Sequence, residues 1–189
     1  PLGYRNKVSL PVRKINGKNK LGLHAKGGNE FIPVNDTPVQ HPRVNEIIQG
    51  LETLLDEYKF HAYIQKEKSG YLKSVVIRRS YSTGETQVSF ILMEKFKDIQ
   101  VFSEKLVEMF PEIVSVFAFY TTDYKSQVFF TTNFEKILGK ATINERINGQ
   151  IFSLYPESFF QLNTKMADIF YNKMRELANL SKDDIVIDA

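Results

Sequence analysis

The first 34 residues alternate between apolar and polar positions with the period of two that is typical of half-buried β-strands. The pattern predicts three strands, at 4–12, 21–25 and 30–34. The first strand places two sets of residues on opposite faces, namely Tyr4, Asn6, Val8, Leu10 and Val12 on one and Arg5 and Lys7 on the other. Asn16-Gly17 supplies a hairpin turn because both residues tolerate a positive φ, and Gly27-Gly28 ends the second strand.

Three later stretches show the 3.6-residue apolar period of amphipathic helices. The clearest spans 42–59 and starts at a proline, which suits the first helical turn. Its apolar face consists of Val44, Ile47, Ile48, Leu51, Leu54, Leu55 and Tyr58. A shorter helix is predicted at 101–110, where Pro111 ends it. The third covers 164–179, with Asn163 or Thr164 as its N-cap.

The remaining apolar stretches predict strands at 71–79, 86–93, 114–121, 127–132, 142–147 and 150–154. Together these elements indicate the α+β fold class, with antiparallel sheets and two or three helices. A short apolar run at 185–187 predicts one more strand, of the buried type. Because a helix followed by one buried strand begins an α/β layer, we expect two domains. The first is an α+β domain at 1–155, and the second is the truncated start of another domain at 156–189.

Composition narrows the function classes. The 189 residues are 42% hydrophobic and 25% charged, which is ordinary for a globular protein. No apolar run approaches the roughly 20 residues that span a bilayer, and no signal peptide is visible, so we expect a cytoplasmic protein without membrane contact. There is no cysteine, which excludes disulfides, thiolate metal sites and cysteine nucleophiles within these residues. The three histidines lack metal-ligand spacing, so no metal site is predicted.

The charge is unevenly distributed. Residues 1–26 hold seven basic residues and no acidic one, whereas the rest of the chain holds 18 basic and 22 acidic residues. A basic block on a mildly acidic body is typical of a protein that binds a polyanion. It is equally typical of a strand edge that lysines protect against aggregation. A second basic stretch, at 66–79, favours nucleic acid modestly.

Two segments combine residue types that suit ligand contacts. Residues 4–7 are aromatic and basic together, and residues 158–163 place two aromatic rings and two amides just before a helix. An exposed phenylalanine in the second segment would stack on a base, which contributes about 1–3 kcal/mol, and Gln161 would bond a polar ligand. The alternative is a plain helix entry with core phenylalanines.

At four places the chain resembles the S-adenosylmethionine-dependent RNA (uracil-5-)-methyltransferases of the 23S ribosomal RNA type and their transfer-RNA relatives. These are GYRNK at 3–7, the hairpin with GYL at 70–72 and TGE at 83–85, PESFFQLN at 156–163, and VIDA at 186–189. Each motif alone is weak, but the four in this order cover essentially the whole chain. The resemblance implies a central α+β domain followed by the first helix and strand of a Rossmann-like methyltransferase domain.

The resemblance also implies roles for individual residues. It implies that Gln161 binds the methyl donor, S-adenosyl-L-methionine, and that Phe159 lines the pocket of the target base. The candidates for contacts to RNA phosphates are Arg5, Lys7, Arg78 and Arg79. The catalytic cysteine and the general base of the family are expected beyond Ala189, so the chain by itself should be inactive. The implied partner is RNA, with 23S rRNA favoured, and we expect a monomer.

Many members of this family hold an iron–sulfur cluster with four cysteines, one of which belongs to a segment similar to 35–42. Thr37 stands where that cysteine is expected, and a threonine supplies no thiolate. Either the parent protein lacks the cluster or the local alignment is shifted, and we favour the first.

Two other functions fit the sequence. One is an RNA-binding module without catalysis, which would bind RNA in a salt-dependent way but would not bind the methyl donor. The other is a protein–protein adaptor whose basic strand only protects a sheet edge, and such a protein would show no RNA affinity even at low salt.

Overall fold

The computed structural model describes residues 2–27, 30–34 and 36–187. Gly28 of the predicted turn and the last two residues of the VIDA motif lie outside them. The described residues form three helices, α1 (Pro42–Glu57), α2 (Ile99–Met109) and α3 (Thr164–Ala178). They also form nine strands: β1 (Lys7–Ile15), β2 (Lys18–His24), β3 (Phe31–Pro33), β4 (Leu72–Arg79), β5 (Thr86–Leu92), β6 (Ile113–Tyr120), β7 (Phe134–Gly139), β8 (Ile143–Ile147) and β9 (Gln150–Leu154).

Seven of the strands form one sheet, in the order β3-β2-β1-β4-β5-β6-β7, and β8 and β9 form a separate hairpin. Every neighbouring pair is antiparallel except β5 and β6, which run parallel and are joined through α2. A parallel pair needs such a crossover, because the chain must return to the end of the sheet at which the first strand began, and a tight turn does not span that distance. The architecture confirms the predicted α+β class.

The sheet is covered on both faces. The main core lies between one face of the sheet and the helices α1 and α2, where Phe60 stacks on Phe96 with ring centroids 4.2 Å apart. On the opposite face, a smaller cluster of Val76, Ile91, Phe117 and Phe119 packs under Phe129 and Phe130. Both faces of the central strands β4 and β5 are therefore buried, including polar residues such as Arg78 and Gln87.

The strand predicted at 127–132 is wrong. The strand that pairs with β6 is β7, which starts later, at Phe134. Residues 121–133 instead lie over the second face of the sheet, where Lys73 Nζ donates hydrogen bonds to the carbonyls of Asp123 (3.2 Å) and Ser126 (2.7 Å). Their aromatic side chains serve packing rather than strand pairing, and a short apolar run does not distinguish the two.

The strand predicted at 185–187 is not formed within the described residues. Ile185 is 91% exposed and Ile187 is 85% exposed. A buried-type strand requires neighbours that satisfy its backbone groups, and the described part of the chain places none beside it. No described helix is both long and apolar enough to cross a membrane.

Candidate functional site

The segment 155–163, which joins β9 to α3, lies against the start of β1. The backbone N–H of Asn6 donates to the carbonyl of Leu162 at 3.0 Å, and Arg5 forms an isolated antiparallel bridge with Asn163. The carbonyl of Asn6 in turn accepts from the N–H of Arg79 at 2.8 Å. Two motifs about 150 residues apart in sequence thus meet at one edge of the fold.

The first half of this segment is held by Arg78, a residue of β4 that is only 4% exposed. Its guanidinium donates to the carbonyls of Tyr155 (3.4 Å), Pro156 (3.4 Å) and Ser158. Burial lowers the pKa of Arg78 to about 10. Since a fixed planar fork of donors matches several carbonyls at once, Arg78 fixes the backbone just before Phe159.

The second half is held by a buried carboxylate, that of Glu145 in β8, which is 1% exposed. It accepts hydrogen bonds from the backbone N–H of Tyr81 (2.6 Å) and Ser82 (3.0 Å) and from the hydroxyl of Thr164 (3.3 Å). Buried carboxylates require such donors, because their desolvation is costly. Glu145 therefore ties the β4–β5 turn to the start of α3.

Asn6 extends this network to the backbone of Gln161. Its side-chain amide donates to the hydroxyl of Thr164 at 2.9 Å and to the carbonyl of Gln161 at 2.8 Å. Asn163 begins α3 as predicted, since its Oδ1 accepts from the N–H of Met166 at 3.0 Å. The backbone of 158–164 is thus fixed at several points.

The roles of Glu145 and Thr164 were not predicted from the sequence. A signal for Glu145 was present, because it occupies the inward position of β8 between Ile143 and Ile147, which are both buried. A carboxylate at an inward strand position is unusual unless it is hydrogen-bonded. Thr164 carries no comparable signal, since a threonine at a helix start is ordinary.

The fixed segment presents two side chains outward. Phe159 is 84% exposed, and Gln161 is exposed with a side-chain amide that makes no hydrogen bond within the described residues. Both side chains are therefore accessible from solvent, on a backbone that hydrogen bonds hold in place. The arrangement can stack a planar group on Phe159 and bond a polar group through Gln161.

Beside this segment lies a cleft of about 460 Å³, which brings together four of the five predicted RNA-binding residues: Arg5, Lys7, Arg78 and Phe159. Arg79 lies elsewhere. Its guanidinium donates to the carbonyl of Gly84 and to the hydroxyl of Thr86 (3.3 Å), and it lines a separate, smaller pocket with His41 and Tyr81.

No described part of the chain holds a cluster of three or more metal-ligating His, Asp or Glu side chains. Thr37 lines the cleft, and its hydroxyl oxygen is buried without a hydrogen-bond partner in the described structure. Since the chain has no cysteine, its residues do not fit the thiolate ligand set of an iron–sulfur cluster.

Comparison with known proteins shows what this arrangement is similar to. No protein-family model matches the chain. An uncharacterized RNA methyltransferase of Streptococcus pyogenes serotype M18 is 35% identical over 191 residues, which cover the whole chain and 41% of the relative. Another, of Streptococcus agalactiae serotype V, is 32% identical over 190 residues, covering the whole chain and 42% of the relative.

The chain is a homologue of RNA methyltransferases. The predicted resemblance to RNA methyltransferases is thereby confirmed, and a solved structure extends it to the fold. The crystal structure of Pyrococcus abyssi tRNA (uracil-54, C5)-methyltransferase in complex with S-adenosyl-L-homocysteine matches 93% of the chain with a TM-score of 0.73 and 25% identity. The match covers 41% of that protein. This methyltransferase homologue thus spans about two fifths of the length of the relatives it matches.

Proposed function

We propose that this chain is the RNA-handling part of an enzyme that transfers a methyl group from S-adenosyl-L-methionine to C5 of a uridine in RNA. The observation that carries the proposal is the rigid outward presentation of Phe159 and Gln161 beside a cationic cleft. The similarity to RNA methyltransferases and to a uracil-C5 methyltransferase structure supports the same reaction class.

In this proposal Phe159 lines the pocket of a uracil that has left its stack, and Gln161 bonds the methyl donor. Arg5, Lys7, Arg78 and Arg79 supply positive charge toward RNA phosphates. Arg5 and Lys7 do so directly. Arg78 and Arg79 already donate to carbonyls, so they act chiefly through their charge and through the backbone that they fix.

The domain division is also part of the proposal, with a central α+β domain at 1–155 and the start of a Rossmann-like donor-binding domain at 156–189. It is supported by the apolar side chains that α3 exposes, namely Met166, Ile169, Phe170, Met174 and Leu177. A helix with such a face packs against further structure. We infer that the apolar face of α3 packs against the part of the parent protein that corresponds to the relatives' remaining length, which this chain does not span.

The nucleophile and the general base are proposed to lie in that further part. C5 of uracil is a poor nucleophile until a thiolate adds to C6, and a base must then remove the C5 proton. With no cysteine present, we expect the chain alone to be inactive. We propose a monomeric cytoplasmic enzyme that acts on 23S rRNA, and the transfer-RNA enzyme among its structural neighbours makes tRNA the competing substrate.

The test is donor binding by the intact parent protein. Gln161→Ala should weaken the affinity for S-adenosyl-L-methionine about tenfold, as expected for one lost polar contact, without changing the melting temperature. Gln100→Ala is the matched control, because Gln100 is an exposed residue of α2 on the helix side of the sheet. Isothermal titration calorimetry measures the affinity, and equal affinity in both variants would remove Gln161 from the site.

A second candidate function is RNA binding without catalysis, which the cationic cleft by itself would serve. An intact parent that binds RNA but no donor would establish this function. An intact parent that binds neither RNA nor the donor would leave a protein–protein adaptor as the remaining candidate function.

A further inference from the structure

Three asparagines of the chain share one backbone conformation. Asn16, Asn148 and Asn179 have positive φ angles of 50°, 50° and 46°. Asn16 and Asn148 each precede a glycine in a hairpin turn, whereas Asn179 lies at the end of α3 and precedes Leu180. Because the backbone is alike at the three positions, a difference in their chemical reactivity must come from their side-chain contacts or from the residue that follows.

An asparagine followed by glycine is open to an intramolecular reaction. The backbone nitrogen of the next residue attacks the side-chain carbonyl carbon and closes a succinimide ring, and the amide nitrogen leaves as ammonia with the proton that the backbone nitrogen gives up. Water then opens the ring at either carbonyl, which yields aspartate or isoaspartate. A side chain on the following residue obstructs the attack, and glycine has none.

Asn16 meets the conditions for this reaction. Both Asn16 and Gly17 are exposed. Neither the side chain of Asn16 nor the N–H of Gly17 forms a hydrogen bond within the described residues. Apart from the chain neighbours, no atom lies within 4 Å of the position where Gly17 would carry a Cβ. The reacting groups are thus accessible to each other and to water.

Asn148 occupies the same kind of turn without the same freedom. Its backbone N–H donates to Oδ1 of Asp168 at 2.6 Å. In the amide orientation that satisfies its neighbours, its side-chain nitrogen donates to the same Oδ1 at 2.9 Å and to Oδ1 of Asn172 at 3.2 Å. Asp168 and Asn172 both belong to α3, so the reaction at Asn148 requires the turn to separate from that helix.

We propose that Asn16 is a site of spontaneous deamidation, with water as the co-reactant, and that contacts with α3 protect Asn148 from the same reaction. The proposal concerns a modification of the chain itself. It does not depend on the methyl transfer proposed above, and either can fail without the other.

The isoaspartate product would disturb the β1–β2 hairpin. It adds one carbon to the backbone of a two-residue turn, and turn length fixes the register of a hairpin. That register pairs Ile15 with Lys18. The next residue, Asn19, is held by Oδ1 of Asp56, which accepts from its backbone N–H at 2.9 Å and from its side-chain amide at 2.6 Å. We therefore expect the isoaspartate form to be less stable than the unmodified chain.

The experiment incubates the folded 189-residue chain in mildly alkaline buffer. Mass spectrometry of proteolytic peptides follows the three asparagines, and chromatography separates aspartate from isoaspartate. Asn16 should react first. Asn148 should react about tenfold more slowly, because its hydrogen bonds to α3 must first break. Asn179 should also react more slowly than Asn16, because the side chain of Leu180 obstructs the attack.

Asp168→Ala tests the protection of Asn148. The variant lacks the carboxylate that holds the turn, so the rate at Asn148 should rise toward the rate at Asn16, which should itself stay unchanged. Glu176→Ala is the matched control, because Glu176 is an exposed carboxylate of the same helix, and it should leave both rates unchanged. Thermal unfolding followed by circular dichroism verifies that both variants are folded.

Three results would contradict the proposal. Equal rates at Asn16 and Asn148 in the folded chain would mean that the structure does not select between the two turns. If Asn16 stayed intact in the folded chain while it reacted in the chain unfolded in urea, the turn itself would protect it. An unchanged rate at Asn148 in a folded Asp168→Ala variant would overturn the protection by α3.

Discussion

The seven-stranded sheet and the segment from 155 to 187 use their apolar residues in opposite ways. In β4 and β5 nearly every side chain is buried, including those of Phe90 and Ile91. In α3 only Thr164 and Ala167 are buried. The sequence of α3 is nevertheless as amphipathic as that of α1, whose apolar face is buried in the core. The same residue types thus stabilise the fold in one region and remain exposed in the other.

The difference shows how the exposed region keeps its shape. The apolar side chains of the segment from 155 to 187 contribute little to its position, so polar contacts at residues 155–164, where the segment begins, must fix it. These are the Arg78 guanidinium and the network of Asn6, Glu145 and Thr164. Such directional bonds fix a backbone in place while leaving its outer face free for ligands.

The largest expected effect tests the contrast in apolar packing. Phe60→Ala should lower the free energy of unfolding by about 3–5 kcal/mol, because its ring is fully buried among Phe90, Phe96 and Phe102. Phe170→Ala is the control in α3, where the ring is 57% exposed, and it should change stability by less than about 0.5 kcal/mol. Urea unfolding of the 189-residue chain measures both, and similar losses would remove the contrast.

A smaller effect tests the polar contacts that Glu145 makes at the start of α3. Glu145→Leu should cost about 2–3 kcal/mol, since it leaves the N–H groups of Tyr81 and Ser82 without their acceptor. Hydrogen exchange of the backbone at 161–164 should accelerate more than exchange in β5. Glu176→Leu, at an exposed position of α3, is the control. Equal acceleration in β5 would mean that Glu145 supports the whole fold rather than this segment.

The smallest effect concerns pH. The folded pKa of Lys7 lies near 8, below its usual 10.5, so between these values the unfolded chain binds a proton that the folded chain does not. Stability contributed by this group therefore rises as the pH increases from about 8 to about 10.5. The free energies of unfolding of the unmodified chain and of Lys7→Met should therefore converge in this range, with Lys7→Met the more stable of the two at pH 7. A constant difference between them across the range would contradict the burial of Lys7.

Much of the fold could be predicted from local pattern. The periodicity of α1 predicted its bounds to within two residues, and Asn16-Gly17 and Asn148-Gly149 marked hairpin turns at which both residues have a positive φ. The shift of β7 to Phe134 could not be predicted. Whether Phe129 and Phe130 pair as a strand or pack on a sheet depends on the distant residues Phe119 and Lys73.

The candidate site divides in the same way. The exposed positions of Phe159 and Gln161 agree with the segment that the sequence singled out, and the chemistry of Arg5 and Lys7 was visible as a basic block. The meeting of Arg5, Lys7 and Phe159 in one cleft depends on β1 lying beside β4 and on the polar contacts at the start of α3, whereas Gln161 lies outside that cleft.

By itself the sequence determined the α+β class, the three helices, most of the strands and the similarity to RNA methyltransferases, because periodicity and motifs are local properties of the chain. Only the tertiary structure decided which groups the side chains of Arg78 and Glu145 bond, on a segment about 80 and 20 residues away. The reason is physical. Strand alternation can place a charged side chain inward, as it does for Glu145, but only the packed chain decides which distant carbonyl, hydroxyl and N–H groups that side chain meets.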